Sequence, residues 1–246
     1  VRPRVRRPKR DRQRLVPEHR LRRRQRHVVP AAAPLLRRDR AAEDRDRRRD
    51  VLGVGGAALT EVVLELGGSD PFIVLPDADI DKAADALMGA GYGSAGERCM
   101  AVSVAVPVGK ETADRLVEKL IPRVESLKVG PSTDASADFG PLVTQQALER
   151  VKGYVDLGVK EGAKLLVDGR DFKMQGYENG YYMGGCLFDN VTKDMRIYKE
   201  EIFGPVLSTV RAKTYEDALK LTMDNPYGNG TSIFTADGDT ARDFAS

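Results

Sequence analysis

The sequence has no tryptophan, two histidines and two cysteines in 246 residues. Cys99 and Cys186 have no paired spacing, which excludes a disulfide framework and a zinc cluster and fits a reducing, cytoplasmic setting. His19 and His27 lie far from Cys99 along the chain, so nothing supports a Cys-His protease. No apolar run approaches the roughly 18 residues that a membrane-spanning helix needs, and no membrane partner is expected. With 41% hydrophobic residues the chain can still supply a core for one large domain or two ordinary ones.

The first fifty residues lack more. They contain no Gly, Ser, Thr, Asn, Phe, Tyr or Trp, and they carry 19 Arg and 1 Lys against 7 acidic residues, a charge of +13 in a chain whose net charge is +3. A dense Arg run can neutralise phosphates and bind nucleic acid non-specifically. Without aromatics to stack on bases, or any reading module, nucleic acid is not the expected partner. A mitochondrial transit peptide should be rich in Ser and poor in acids, the reverse of what is present. The remaining reading is a solvated, disordered Arg-rich arm and linker over residues 1–59. The abrupt change in Arg usage also fits an out-of-frame reading of GC-rich coding sequence. Gly53, Gly55 and Ala58 match G-x-G-x-x-A, the dinucleotide-binding turn, but no convincing strand precedes them, so they read as a small-residue linker.

From residue 60 the periodicities become clear. "VVLEL" and "FIVL" are short apolar runs bounded by Gly, Asp and Pro, the pattern of buried strands. Asp79 can cap a helix with Ile80, Ala84, Leu87 and Met88 on one stripe, running toward Ser94. "AVSVAV" alternates as a strand. Helices are expected over 111–127 and 144–160, strands at "KLLV", "YYMGGCLF" and "TSIFT", and a short helix over 214–224 before a final helical fragment. Strands alternating with helices predict an α/β fold with a mostly parallel sheet flanked by helices, over residues 60–246.

Cys99, in "GSAGERCMA", is the candidate nucleophile. A thiolate adds to a carbonyl, and the resulting thioester is readily resolved. Such chemistry needs small neighbours, oxyanion donors and a base. Gly93, Ser94, Ala95 and Gly96 offer the first, the backbone N–H of Cys99 part of the second, and Glu65, at a strand end before two glycines, the third. Residue type alone favours a space-filling cysteine and a solvated or ion-paired strand-end acid. Cys186 reads as a small hydrophobe in a strand.

The motifs "ELGGSDPFIVLPDADID", "GSAGERCMA", "EEIFGPVLS" and "NPYGNGTSIFT", in that order, resemble the NAD(P)-dependent aldehyde dehydrogenases over roughly residues 61–246. Glu65 and Cys99 stand 34 positions apart, the separation that family keeps between base and nucleophile. The resemblance implies that Cys99 forms a thiohemiacetal with a small-molecule aldehyde, that hydride passes to NAD (or NADP), and that the thioester is cleared by water or coenzyme A. It implies that Glu201 holds the nicotinamide ribose, that Phe203 flanks the nicotinamide, and that the complete enzyme is a homo-oligomer. Asn225 reads as a turn residue supporting the catalytic layer. Within the family, "GERCMA" and "NPYGNGTSIFT" are most similar to the branch that oxidises methylmalonate or malonate semialdehyde to an acyl-CoA. There the Arg before the nucleophile binds the substrate carboxylate, which makes Arg98 the candidate anchor.

The match departs from that branch at Glu65, since the CoA-dependent enzymes typically lack this glutamate. "TEVVLELGGSDPFIVL" is closer to hydrolytic relatives such as those acting on succinate semialdehyde. Residues 1–60 match neither the Asn that completes the family's oxyanion hole nor the Lys that contacts the adenosine ribose, so little turnover is expected from this polypeptide alone. A cofactor-independent Cys-Glu esterase and a basic-armed nucleic-acid-binding protein are the other readings.

Overall fold

The computed structural model describes residues 67–245, all within one compact unit. The arm at 1–59, the G-x-G-x-x-A turn, the "VVLEL" strand and Glu65 lie outside the described residues.

The expected α/β architecture is present, with helices on both faces of a six-stranded sheet. Its strands are β1 (Asp70–Val74), β2 (Val102–Pro107), β3 (Lys164–Val167), β4 (Cys186–Asp189), β5 (Val206–Thr209) and β6 (Ser232–Phe234). The spatial order is β3-β4-β5-β2-β1-β6. All neighbours run parallel except β3 and β4, which are antiparallel, so the sheet is mixed at one edge. The helices are α1 (Ile80–Tyr92), α2 (Lys110–Glu125), α3 (Gln145–Lys160), α4 (Arg196–Lys199), α5 (Tyr215–Met223) and α6 (Gly238–Phe244).

Strand alternation builds a core on each face. On β1, Phe72 and Val74 pack with Leu87 of α1 and with Leu116 and Leu120 of α2, while Ile73 joins Val104, Val106, and Val151 and Val155 of α3 on the other face. Both faces are covered, so β1 is buried at every position, as a central parallel strand should be. Helix starts follow the expected chemistry. Asp79, Thr144 and Thr214 each accept a backbone N–H three residues on, satisfying a donor that the first helical turn leaves unpaired.

Two expectations need correction. "YYMGGCLF" is not one strand: only Cys186–Asp189 pairs. Gly184 packs backbone to backbone against Gly169, with the Gly184 N–H donating to the Gly169 carbonyl at 2.8 Å, and a Cβ on Gly169 would lie 2.2 Å from the Gly184 carbonyl carbon. That loop contact takes the place of strand pairing. The second is an omission: β5, in "VLST" after Gly204-Pro205, and the single-turn α4 were not anticipated, although β5 is buried throughout.

Candidate active site at the amino ends of four strands

The segments leading into β5, β2, β1 and β6, adjacent strands in the sheet, carry every described residue singled out for chemistry. Gly67 and Gly68 precede β1, Arg98 and Cys99 precede β2, Glu201 and Phe203 precede β5, and Asn225 to Thr231 precede β6. Parallel strands put these segments on one edge, so residues more than 150 positions apart meet without long loops. Open α/β sheets usually bind ligands at the carboxyl ends of their strands; here the gathering is at the amino ends.

The turn before Cys99 is built from small residues in unusual backbone. Ser94, Ala95 and Gly96 have φ of 54°, 56° and 68°, the left-handed region that side chains disfavour. Gly96 is required for a second reason: a Cβ there would lie 2.2 Å from the Gly204 carbonyl oxygen. The nucleophile turn therefore rests directly on the loop that follows Phe203. Phe203 itself has φ of 55°, an outlier for a bulky residue.

Cys99 is exposed, in a turn closed by the Ala101 N–H donating to the Arg98 carbonyl at 3.1 Å. Its carbonyl oxygen accepts a hydrogen bond from Asn229 Nδ2. A Cβ on Gly68 would lie 2.6 Å from that oxygen, so the glycine of "ELGG" sits against the nucleophile's backbone. The Gly68 N–H in turn donates to Glu201 Oε1 at 3.0 Å, and a Cβ on Gly67 would lie 2.6 Å from Glu201 Oε2. Cys99 and Glu201 thus converge on one glycine. Glu201 is held from behind by its own N–H, which donates to the Tyr227 hydroxyl at 3.3 Å.

Arg98 folds back over α1. Its Nε donates to Ser94 Oγ at 3.2 Å and its Nη1 to the Gly89 carbonyl at 3.4 Å, over Gly93, where a Cβ would meet the guanidinium at 2.8 Å. The sequence suggested a substrate anchor; the structure gives the guanidinium two bonds at a helix carboxyl end, a favourable place for a cation. Arg98, Gly68, Glu201 and Phe203 nevertheless line one shallow, open depression, which Cys99 borders in sequence but does not itself line.

Asp70 was not anticipated. It is buried at the start of β1, with Oδ1 accepting the Gly230 N–H at 3.2 Å. Burial pushes its carboxyl up to about 6; the Gly230 bond opposes that shift and the negative charge of Glu201 adds to it. Glu97, half-buried beside the turn, is also raised by burial, against the Val143 N–H and the charge of Arg150. Asn225 is placed as a turn residue: Nδ2 donates to the Ser69 carbonyl at 2.8 Å, and Oδ1 accepts the Tyr227 N–H at 2.9 Å. Among the described residues no group of three or more His, Cys, Asp or Glu could hold a metal, and no helix is long and apolar enough to cross a membrane.

The fold is a mostly parallel sheet with helices on both faces, and the exposed Cys99 follows the left-handed turn at 94–96 with its carbonyl oxygen against Gly68. The aldehyde dehydrogenase family model matches residues 48–246, and the chain belongs to the aldehyde dehydrogenase family. More particularly, it is similar to the malonate-semialdehyde dehydrogenase of Pseudomonas aeruginosa, with 57% identity over 183 residues, 74% of this chain and 37% of that protein. It is also similar to the mitochondrial acylating methylmalonate-semialdehyde/malonate-semialdehyde dehydrogenase of Mus musculus, with 46% identity over 75% of this chain and 34% of that protein. Among solved structures, the methylmalonate-semialdehyde dehydrogenase of Oceanimonas doudoroffii superposes with a TM-score of 0.71 at 52% identity, over 73% of this chain and 37% of that one. The aldehyde dehydrogenase of Mycobacterium tuberculosis complexed with NAD+ superposes with a TM-score of 0.74 at 32% identity, over 83% and 41%. The chain spans a little over a third of the length of the curated relatives it matches.

Proposed function

We propose that this chain carries the acyl-forming site of an aldehyde dehydrogenase that oxidises malonate or methylmalonate semialdehyde, with Cys99 as nucleophile. The observation that carries the reading is the convergence of the Cys99 carbonyl and the Glu201 carboxylate on Gly68. It joins three motifs scattered over more than 130 residues into one edge of the sheet. The names of the relatives supply the substrate class.

In this reading the Cys99 thiolate adds to the aldehyde carbon, forming a C–S bond while the carbonyl electron pair moves onto oxygen. The Cys99 N–H serves as one donor to that oxyanion. A nicotinamide nucleotide, when bound, would supply the acceptor for the hydride leaving the carbon, and the acyl group would be left as a thioester on Cys99. The described residues fit such a group: Glu201 is oriented through Oε1 by the Gly68 N–H, its Oε2 is a hydrogen-bond acceptor suited to a ribose hydroxyl, and Phe203 lines the same depression. NAD is the favoured acceptor because relatives were solved with it. Arg98 lines the depression too and offers Nη2 to the substrate carboxylate.

Attack of the coenzyme A thiol on the thioester would release an acyl-CoA and return the Cys99 sulfur, in keeping with the acylating relatives. Glu65, as base, would favour water instead and release a carboxylic acid. The two unpaired cysteines support a cytoplasmic location, and the family supports a homo-oligomer.

The test uses acyl transfer, which needs no nicotinamide. Incubation with p-nitrophenyl acetate should place one acetyl group on Cys99, located by mass spectrometry and absent in Cys99→Ala. Adding coenzyme A should then yield acetyl-CoA faster than acetate. Acetylation elsewhere, or none, would overturn the assignment of Cys99; acetate as the sole product would move the reading to hydrolysis.

A further inference from the structure

We infer that Asn229 is a positioning residue for the nucleophile, fixing the peptide that follows Cys99 so that the thiol and the N–H of the same residue address one carbonyl group. The inference rests on the assignment of Cys99 proposed above. The starting observation is the bond from Asn229 Nδ2 to the Cys99 carbonyl oxygen.

Cys99 lies in a surface turn, outside any strand or helix, and is exposed. Such a residue has no hydrogen-bonded ladder to set its backbone, and its Cα–Cβ direction varies with its own ψ. A bond to its carbonyl oxygen fixes that ψ, and only side-chain rotation is then left to place Sγ. Gly68 closes the arrangement from the other side. A Cβ there would lie 2.6 Å from the carbonyl oxygen and 2.9 Å from Asn229 Nδ2, so the pair fits only against a residue without a side chain.

Asn229 is itself well placed to act as a fixed point, because the segment carrying it is anchored independently. Asn225 Nδ2 bonds the Ser69 carbonyl at 2.8 Å, the Gly230 N–H bonds Asp70 Oδ1 at 3.2 Å, and Thr231 Oγ1 bonds the Pro71 carbonyl at 3.2 Å. All three attach the segment to the entry of β1. The Asn229 side chain is therefore not needed to shape its own loop, and what it adds is a tether from that loop to Cys99.

The chemistry makes the tether measurable. Acyl transfer requires Sγ to approach a planar carbonyl from one direction while an N–H meets the developing oxyanion, so it is sensitive to backbone orientation. Alkylation by iodoacetamide requires only an accessible thiolate. The full chain is compared with Asn229→Leu and Asn229→Ala, both of which remove the donor without adding a charge. Acetylation of Cys99 by p-nitrophenyl acetate should slow by about five- to tenfold, the effect of one hydrogen bond, while iodoacetamide alkylation changes by less than about twofold. Met223→Gln, at an exposed position just before the segment, should leave both rates unchanged. If either loss-of-donor variant fails to unfold cooperatively, Asn229→Gln and Asn229→Met form a second pair, in which the Gln variant should acetylate faster. Equal acetylation rates, or a parallel fall in both reactions, would overturn the positioning role while leaving Cys99 as nucleophile. Failure of the unsubstituted chain to acetylate at Cys99 would remove both.

Discussion

The two cysteines of this chain occupy opposite environments. Cys186 is fully buried in β4, where its sulfur accepts the Gly169 N–H at 3.3 Å and burial pushes its thiol up to about 11. Cys99 is exposed three residues after the left-handed turn, held by its backbone rather than by its side chain. The same atom is inert filling in one place and open to an electrophile in the other. What separates them is how the main chain is secured: strand pairing aims Cys186 into the core, whereas the Gly96–Gly204 contact and the Asn229 tether hold Cys99 out of it.

The comparison is broken most sharply by labelling. At pH 8 a thiol near 11 is ionised in about one molecule in a thousand, and its burial adds the need for local opening. Iodoacetamide should therefore modify Cys99 at least about a hundredfold faster than Cys186, as read by peptide mass spectrometry with time, with the two rates converging in concentrated urea. Rapid native labelling of Cys186 would erase the distinction.

The next largest effect falls on the turn. Gly96→Ala adds a Cβ that meets the Gly204 carbonyl oxygen, at a φ of 68° that alanine disfavours. A loss on the order of 3–5 kcal/mol is expected in urea denaturation, together with loss of Cys99 acetylation. An unchanged midpoint would mean that the two backbones are not in contact.

Asp70 sharpens the electrostatic side. Its carboxyl stands at about 6 in the folded chain against 3.8 ordinarily, so the folded state holds this proton more tightly than the unfolded state does. Stability should then fall as pH rises from about 4 to about 6 and stay lowered above that, by up to roughly 3 kcal/mol. Asp70→Asn keeps an acceptor for Gly230 and removes the charge beside Glu201. It should raise the urea midpoint at pH 7 and leave it nearly unchanged at pH 4. A lower midpoint at pH 7 would contradict the direction of the shift.

The smallest effects come from paired serine substitutions. Cys186→Ser places a hydroxyl in an apolar strand interior and should cost about 1–2 kcal/mol. Cys99→Ser, at an exposed site, should stay within about 0.5 kcal/mol of the parent while abolishing acetylation. Equal costs in thermal or urea unfolding would mean that both cysteines are structural.

Much of this was legible from residue patterns. The stripe Ile80, Ala84, Leu87 identified α1, and Asp79 its start, because an amphipathic helix with a capping acid is a local signal. Cys99 was a candidate from its small neighbours as well as its motif, and Glu201 and Phe203 from their motifs alone; that Glu201 and Phe203 line one depression could not be read from either. β5 escaped because its four residues follow a Gly-Pro turn and carry no alternation, both its faces being buried. Asn229 and Asp70 escaped for a different reason. An asparagine in a turn and an acid beside a proline have ordinary local explanations, and their partners, Cys99 and Gly230, stand 130 and 160 positions away. Such pairings are set by the order of strands in the sheet, which local periodicity does not encode.

Where Gly96 meets Gly204, main chain rests on main chain with no side chain between to give way. A ligand that displaced Phe203 would have to carry that neighbouring loop with it, and the sulfur of Cys99, three residues beyond Gly96, would travel too. Occupancy on one side of the depression should thus be transmitted to the reacting atom as a shared displacement rather than dissipated in rotamer changes.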